Sequence, residues 1–169
     1  MADINHSLAA RRVKAAAEDS VVDLIELLFF AYRDFISDPD EILRESDFGR
    51  AHHRVLHFVD RNPGLTVADL LDILKITKQS LARVLKELIG AGLIEQRTGN
   101  ADRRHRLLYA TAAGQTLSAS LSEPQEKRIA AALASLPPGS RRTVMNFLFG
   151  MVNAAERPKA ERLIGSDRE

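Results

Sequence analysis

Residues 65–114 read LTVADLLDILKITKQSLARVLKELIGAGLIEQRTGNADRRHRLLYATAAG and predict two short helices followed by a β-hairpin. Thr66 and Asp69 have the spacing of a capping box, in which two side chains satisfy free backbone N–H groups at the start of a helix. Thr77 is suited to cap a second helix that extends to about Ala91, where Gly92 stops it. Both helices carry apolar residues at helical spacing, namely Val67, Leu70, Leu71 and Leu74 in the first and Leu81, Val84, Leu85 and Leu88 in the second.

The hairpin follows as two strand-like segments, Leu93–Arg97 and Arg106–Ala110, joined by the turn residues Thr98–Asp102. Its tip carries Arg103 and Arg104. A helix, a second helix and a basic hairpin are the parts of a winged helix-turn-helix. Such a unit places the second helix in the DNA major groove and an arginine in the neighbouring minor groove. The predicted fold class is therefore mainly α with a small β-wing.

Helices on both sides of this unit complete the predicted fold. Val21–Ile36 is apolar on more than one face and is expected to end at Ser37–Asp40, because proline resists helix continuation. Asp47 is expected to cap a helix that runs to about Arg61. After the hairpin we expect a helix capped by Thr111, weakened at Pro124 and ending near Leu136, then a break at Pro137–Gly139, a cap at Ser140 and a closing helix from Arg141 to Glu156.

This layout divides the chain into three parts. Residues 1–47 form an N-terminal arm and dimerisation helix, residues 48–110 form the DNA-binding domain, and residues 111–169 form C-terminal dimerisation helices intertwined with the first part. Lys/Arg and Asp/Glu number 5 and 11 in the first part, 11 and 6 in the second, and 8 and 6 in the third, giving net charges of −6, +5 and +2. The positive charge is thus concentrated in the part that is expected to bind phosphate.

Composition excludes several classes of protein. The chain has no cysteine, which excludes disulfides and thiol chemistry. Its first twelve residues contain no apolar signal core, and Val21–Ile36 is too short and too charged to span a bilayer. We therefore expect a cytoplasmic protein without a membrane partner.

The polar side of the second helix and the hairpin supply the candidate DNA contacts. Arginine and glutamine can make bidentate contacts to guanine and adenine, while serine and threonine suit bases or phosphates. Asp102 is expected to orient one of the two following arginines by a charge-assisted hydrogen bond. The full set is Thr77, Lys78, Gln79, Ser80, Arg83, Lys86, Asp102, Arg103, Arg104 and Arg106. The helix face alone is explained equally well as a solvated surface, and the hairpin is what favours DNA.

The motifs together resemble the MarR family of bacterial transcriptional regulators. They are Leu65–Leu70, Ile76–Ser80 with Gly92–Glu95, and Asp102–Arg104 with Leu107–Gly114. The resemblance covers about residues 48–114, and the flanking helices match only in general layout. It implies a triangular homodimer with interlocked terminal helices and a double-stranded DNA partner, a palindromic operator. It also implies, in the usual case, repression that is relieved by a small aromatic or anionic ligand.

The apolar terminal helices independently favour a homodimer, because they carry more apolar surface than one small domain easily covers. The expected contacts are Val21, Leu24, Ile25, Leu28, Phe147, Leu148 and Met151. The alternative is that both helices pack within a single chain.

Three histidines share the helix that ends near Arg61, and His53 and His57 lie four residues apart on one face. This spacing can hold zinc or place two imidazoles in a pocket, but a third zinc ligand would have to come from Asp60, His105 or elsewhere. We assign His53 and His57 to ligand or pH sensing, with ordinary histidines satisfied by their neighbours as the alternative. No metal and no cofactor are predicted.

Two other functions fit parts of the sequence. A protein-docking module would use the basic hairpin against an acidic partner, but Lys78, Gln79 and Arg83 favour nucleic acid over such a partner. A metal-dependent hydrolase built on His52, His53, His57 and Asp60 would lack a carboxylate pair, a phosphate loop and a nucleophile motif. We therefore expect a regulator and not an enzyme.

Overall fold

A computed structural model of the protein describes residues 21–98 and 106–165. The elements in chain order are α1 (Val22–Arg44), α2 (Arg50–Arg61), β1 (Leu65–Thr66), α3 (Val67–Leu74), α4 (Lys78–Gly90), β2 (Ile94–Thr98), β3 (Arg106–Ala110), α5 (Ala112–Ala134), α6 (Ser140–Met151), a 3₁₀ turn (Ala154–Glu156) and α7 (Arg157–Gly165). The mainly α fold with a small β-wing is confirmed. Contacts divide the described residues into two compact units, with the boundary between Ser37 and Asp38.

The sheet is antiparallel and has the strand order β1-β3-β2. Ile94 pairs with Ala110 and Thr98 with Arg106, which gives the hairpin predicted from the sequence. β1 was not predicted, because two residues carry no periodic signal and only the pairing of Leu65 with Leu108 makes them a strand. The pairing ties the segment before α3 to the wing.

The core of the second unit lies between α2, α3 and α4 and is closed by the sheet. It consists of Val55, Leu56, Val59, Leu70, Leu74, Leu81, Val84, Leu85, Leu88, Ile94 and Leu108, all at most 4% exposed. Fully burying one such aliphatic side chain contributes about 1.5–3 kcal/mol, so this cluster outweighs any single polar contact in the unit. The predicted apolar stripe of α4 is entirely buried, and the opposite face of that helix is therefore turned outward.

The caps predicted for α3 and α4 are confirmed. Thr66 Oγ1 accepts a hydrogen bond from the Asp69 N–H at 3.1 Å, and Asp69 Oδ2 accepts one from the Thr66 N–H at 2.8 Å. Thr77 Oγ1 accepts from the Ser80 N–H at 3.1 Å. Caps of this kind typically contribute about 1 kcal/mol each, and they set where the two helices begin.

The predicted end of the first helix at Ser37–Asp40 is wrong, because α1 continues through Pro39 to Arg44. Pro39 cannot donate a helical hydrogen bond, which costs about 3 kcal/mol in a helix interior. The continued turn buries both Pro39 and Leu43. It also places Asp38 2.8 Å from Arg128 and Asp40 2.7 Å from Arg50. These tertiary contacts offset the local cost, and local sequence rules do not include them.

The predicted cap at Asp47 is also wrong. Asp47 has a left-handed backbone (φ +56°), and α2 begins after Gly49. The His52 side chain reaches back to the residue before the helix. Its Nδ1 accepts a hydrogen bond from the Gly49 N–H at 3.1 Å. The spacing between Gly49 and His52 is that of a capping box with histidine in the third helical position.

The C-terminal helices differ from the prediction in four respects. α5 is continuous through Pro124, and Gly139, with a left-handed backbone (φ +84°), caps α6 in place of Ser140. The closing helix ends at Met151 and is followed by the unpredicted helix α7. Arg157 stabilises this break, because its guanidinium donates to the carbonyl oxygens of Gly150 at 3.0 Å and Val152 at 3.1 Å.

The junction between the wing and α5 holds the end of α4 in place. The Thr111 hydroxyl donates to the Gly92 carbonyl at 2.6 Å, and the Thr111 N–H donates to the Leu93 carbonyl at 3.0 Å. Gly114 packs so closely that a Cβ atom there would overlap the Leu93 carbonyl oxygen. The start of the wing is therefore held in a fixed position relative to the end of α4.

We expect Gly114→Ala to destabilise the fold by about 1–3 kcal/mol, because the backbone of Leu93 has to move to admit a methyl group. The measurement is urea unfolding followed by circular dichroism. Gly90→Ala is the matched control, since no atom lies within 4 Å of the position a Cβ would take there. A Gly114→Ala midpoint equal to that of the control would contradict the tight junction.

Candidate nucleic-acid interface

The outward face of α4 carries the polar residues predicted to contact DNA. Its N-terminal half presents Lys78, Gln79, Ser80 and Arg83, and Lys86 follows three residues after Arg83. All five side chains are exposed. Thr77 and Ser80 are partly committed to the cap, since the Thr77 hydroxyl also donates to Ser80 Oγ at 2.9 Å. In the described ranges, α4 exposes no large apolar side chain.

The basic residues of the middle of the chain fall into two groups. Arg50 and Lys75 are each held by carboxylates, at 2.7 Å from Asp40 and 2.7 Å from Asp72 respectively. Arg54 donates to the Leu74 carbonyl at the end of α3. In contrast, Lys78, Arg83 and Lys86 make no ion pair or hydrogen bond through their side chains to any described residue. Of these described basic residues, those of α4 therefore keep their charge available.

The root of the wing is held by an arginine that sequence reasoning left out. The Arg97 guanidinium forms an ion pair with Glu95 and lies 4.3 Å from the centre of the Tyr109 ring. These partners fix Arg97 along the strand and partly neutralise it. Arg106, which pairs with Thr98 across the hairpin, is exposed. The tip residues Asp102, Arg103 and Arg104 lie outside the described residues, as does the N-terminal arm.

A four-membered ion network anchors the turn between α3 and α4. Lys159 Nζ lies 2.6 Å from Asp72 and 2.5 Å from Glu156, and Lys75 Nζ lies 2.7 Å from Asp72 and 3.1 Å from Glu156. Hydrogen bonds from the two lysines lower the pKa of Asp72 to about 2 and also lower the pKa of Glu156. Lys75 has a left-handed backbone (φ +52°) at the end of α3. The network thus joins the helix-turn-helix turn to α7.

The candidate sensing histidines lie on α2. His53 and His57 are half-buried, and their rings meet edge to face with 6.3 Å between centroids. Burial lowers the pKa of both, and the charge of His57 lowers that of His53 further while Asp40 opposes the shift. For His57, Arg61 adds to the lowering and Asp60 opposes it. Both rings are therefore held in the neutral form. Among the described residues, no three acidic or histidine side chains are grouped as a metal site would need.

In the sequence, His52 is only one member of a histidine cluster, and no pattern pairs it with Glu87. The structure separates His52 from the other two, buries it to 7% exposure and places its Nε2 2.6 Å from Glu87 Oε2 on α4. The spacing from Gly49 could have revealed the capping contact, whereas no sequence signal connects residues 35 positions apart.

The apolar side chains that are expected at a dimer contact are exposed on α1 and on α6. On α1 and directly before it these are Val21, Leu24, Ile25 and Leu28, and on α6 they are Phe147, Leu148 and Met151, with exposures from 48% to 61%. A groove of about 370 Å³ between α6 and α7 is lined mainly by apolar residues, among them Met145, Phe149 and Ile164. None of the described helices is long and apolar enough to cross a bilayer.

A capped helix pair, an antiparallel wing and an unpaired basic helix face define a winged helix-turn-helix protein of the DNA-binding class. A family model described as MarR family matches residues 46–105. The HTH-type transcriptional regulator PetP of Rhodobacter capsulatus is 48% identical over 133 residues, which cover 79% of this chain and 80% of PetP. The chain therefore belongs to the MarR family, and it is a DNA-binding transcriptional regulator and not an enzyme.

Solved structures share the fold at low sequence identity. FabT of Streptococcus pneumoniae in complex with DNA has a TM-score of 0.68 at 16% identity, covering 78% of this chain and 94% of FabT. A MarR family regulator from Listeria monocytogenes complexed with a 26mer DNA has a TM-score of 0.63 at 21% identity, covering 84% of this chain and 90% of that one. The family resemblance inferred from the sequence is confirmed.

The neutral histidine pair predicts a dependence of stability on pH. Because the pKa values of His53 and His57 in the fold lie below the ordinary value of 6.5, the unfolded chain binds more protons on acidification. The free energy of unfolding should therefore fall as the pH drops below about 6.5. Urea midpoints at pH 8 and pH 5.5 measure this fall, and it should be smaller in the variant His53→Gln/His57→Gln. An equal fall of the urea midpoint in the wild type and in the variant would show that the histidine pair is not held neutral.

Proposed function

We propose that the protein binds a palindromic operator as a homodimer, with α4 of each chain in the major groove. The observation that carries the proposal is the unpaired face of α4, where Lys78, Arg83 and Lys86 are exposed on a helix whose other face is buried. A rigid helix with free cations and a glutamine can read base edges and contact phosphates together. A docking module would instead present apolar side chains, and α4 exposes no large one.

In this proposal the contacts of α4 are Thr77, Lys78, Gln79, Ser80, Arg83 and Lys86, and the wing adds Asp102, Arg103, Arg104 and Arg106. In the hairpin register, Thr98 pairs with Arg106, and these are the strand residues next to the tip. An arginine at such a tip suits a narrow minor groove, where the negative potential is strongest. The regulators from Streptococcus pneumoniae and Listeria monocytogenes that share this fold were solved with DNA. Operator binding would place the protein with the DNA in the cytoplasm.

The dimer is proposed to form through the exposed apolar residues of α1 and α6. Side chains such as Leu28 and Phe147 are about half exposed in the single chain, and burying each would contribute about 25 cal/mol per Å² of apolar surface. The groove between α6 and α7 offers a further apolar surface to a second copy. A twofold axis would then set two copies of α4 about one turn of DNA apart, which is what a palindromic site requires.

The regulator is further proposed to be a repressor relieved by a small aromatic or anionic ligand near His53 and His57. These rings are half-buried and neutral, so each offers one hydrogen-bond donor and one acceptor to a ligand. Isothermal titration calorimetry with salicylate as the probe tests the site. Loss of the heat signal in His53→Ala/His57→Ala would support it, and an unchanged signal would place the ligand elsewhere.

Arg83→Ala should weaken binding to a duplex selected from random sequences by the wild-type protein. The expected loss is about 1–3 kcal/mol for a bidentate contact to a base, with less discrimination at that base pair. Fluorescence anisotropy measures the affinity. Lys127→Ala, which removes a cation of α5 that is paired with Glu123, is the control and should change little. Equal affinities for the three proteins would remove Arg83 from the interface.

We expect the wing to make a second contribution to DNA affinity, which the same fluorescence anisotropy assay tests. Arg104→Ala should weaken binding with little change in base preference, because a wing arginine contacts the minor groove and backbone. Binding of the wild type should fall steeply with added salt. A flat salt response would argue against phosphate contacts.

Leu28→Asp should convert the dimer to a monomer, since a carboxylate in an apolar interface loses its hydration without a partner. Sedimentation equilibrium measures the mass. Ala82→Asp, at an exposed position of α4, is the reciprocal control that should abolish DNA binding and leave the dimer intact. A Leu28→Asp protein that sediments as the wild type does would exclude α1 from the interface.

A further inference from the structure

His52 is a buried histidine with a partner on each ring nitrogen. Its Nδ1 accepts a hydrogen bond from the Gly49 N–H at 3.1 Å, and its Nε2 lies 2.6 Å from Glu87 Oε2. Because Nδ1 acts as an acceptor, the proton of the neutral ring is on Nε2, which donates it to the carboxylate. The Phe48 ring packs 4.8 Å from the imidazole and holds its plane. The side chain is therefore fixed in position and in direction.

Glu87 lies on α4, one helical turn after Arg83 and next to Lys86. α4 also packs against α2 through an apolar core, with Val55, Leu56 and Val59 among the buried residues of α2. Apolar packing sets the distance between two helices but is non-directional, so it tolerates small rotations of one about its axis. A hydrogen bond to a charged acceptor is short and directional and does not tolerate them. The bond from His52 to Glu87 thus restricts the rotation of α4.

We propose that His52 is a positioning residue for DNA reading, which acts through Glu87 to fix the rotational setting of α4 and hence the direction of Arg83 and Lys86. The proposal rests on the proposed function of α4. His52 is in the first turn of α2, directly before the half-buried His53. A displacement of the start of α2 is therefore transmitted to α4 through this bond.

Two substitutions of His52 separate its two contacts. A glutamine amide nitrogen reaches about as far as Nε2 of histidine, so His52→Gln keeps a donor to Glu87 and loses the acceptor for Gly49. An asparagine carbonyl oxygen reaches about as far as Nδ1, so His52→Asn keeps the acceptor for Gly49 and releases Glu87. A purely structural role in capping α2 predicts that glutamine is the more damaging change. The positioning role predicts that asparagine is.

The readout is the ratio of affinities for the duplex selected by the wild-type protein and for a scrambled duplex of the same composition. A ratio is needed because Glu87→Ala removes a negative charge from the DNA-facing helix and so raises the affinity for both duplexes. We expect His52→Asn and Glu87→Ala each to lower the ratio about tenfold, a change of about 1.4 kcal/mol. His52→Gln should stay within about twofold of the wild type. Combining His52→Asn with Glu87→Ala should lower the ratio no further than either change alone.

Folding is monitored in parallel by urea midpoints. Glu87→Ala is the variant that keeps the test decisive if both His52 variants unfold, because the Glu87 side chain is 43% exposed. A Glu87→Ala ratio equal to that of the wild type would overturn the proposal, as would a His52→Gln ratio as low as that of His52→Asn. A wild-type protein without preference for any duplex would instead overturn the proposed function, so the two failures are distinguishable.

Discussion

The burial of one face of α4 is the constraint on which the rest of this structure depends. Leu81, Val84, Leu85 and Leu88 are packed against α2, α3 and the sheet, at 4% exposure or less. Four fully buried aliphatic side chains cannot be turned outward without losing several kcal/mol. The polar residues between them are therefore turned toward solvent whatever their own preferences are. The surface that we propose to face DNA is in this sense a consequence of the core.

Two polar connections refine the position that the core gives to α4. At its C-terminal end, Thr111 and Gly114 attach the start of α5 to the backbone of Gly92 and Leu93, which holds the wing at a fixed origin. In its C-terminal half, Glu87 is bound by His52 from α2. Apolar packing provides most of the stability, whereas these directional bonds provide the orientation. DNA reading needs both, because a side chain must meet a base edge within hydrogen-bond distance.

The distribution of charge follows the same division between scaffold and surface. Acidic residues neutralise Arg50, Lys75 and Arg97, which belong to the turns and the wing root, while Lys78, Arg83 and Lys86 keep their charge available. The network of Asp72, Lys75, Glu156 and Lys159 uses its charges to join α7 to the helix-turn-helix turn. Within the described residues of the positive middle third, the face of α4 thus keeps its basic side chains open while neighbouring cations are paired.

The sequence by itself determined the elements whose signals are local. Thr66 and Thr77 mark the starts of α3 and α4, the period of leucine and valine shows which face of α4 is buried, and the turn residues after Thr98 indicate the hairpin. Only the tertiary structure decided that α1 continues through Pro39, that Gly49 and not Asp47 precedes α2, and that His52 meets Glu87. Local rules describe the cost of a proline or the benefit of a cap within a few residues. Partners that offset this cost, such as Arg128 for Asp38, come from distant parts of the chain, and a single sequence does not display that proximity before the chain has folded.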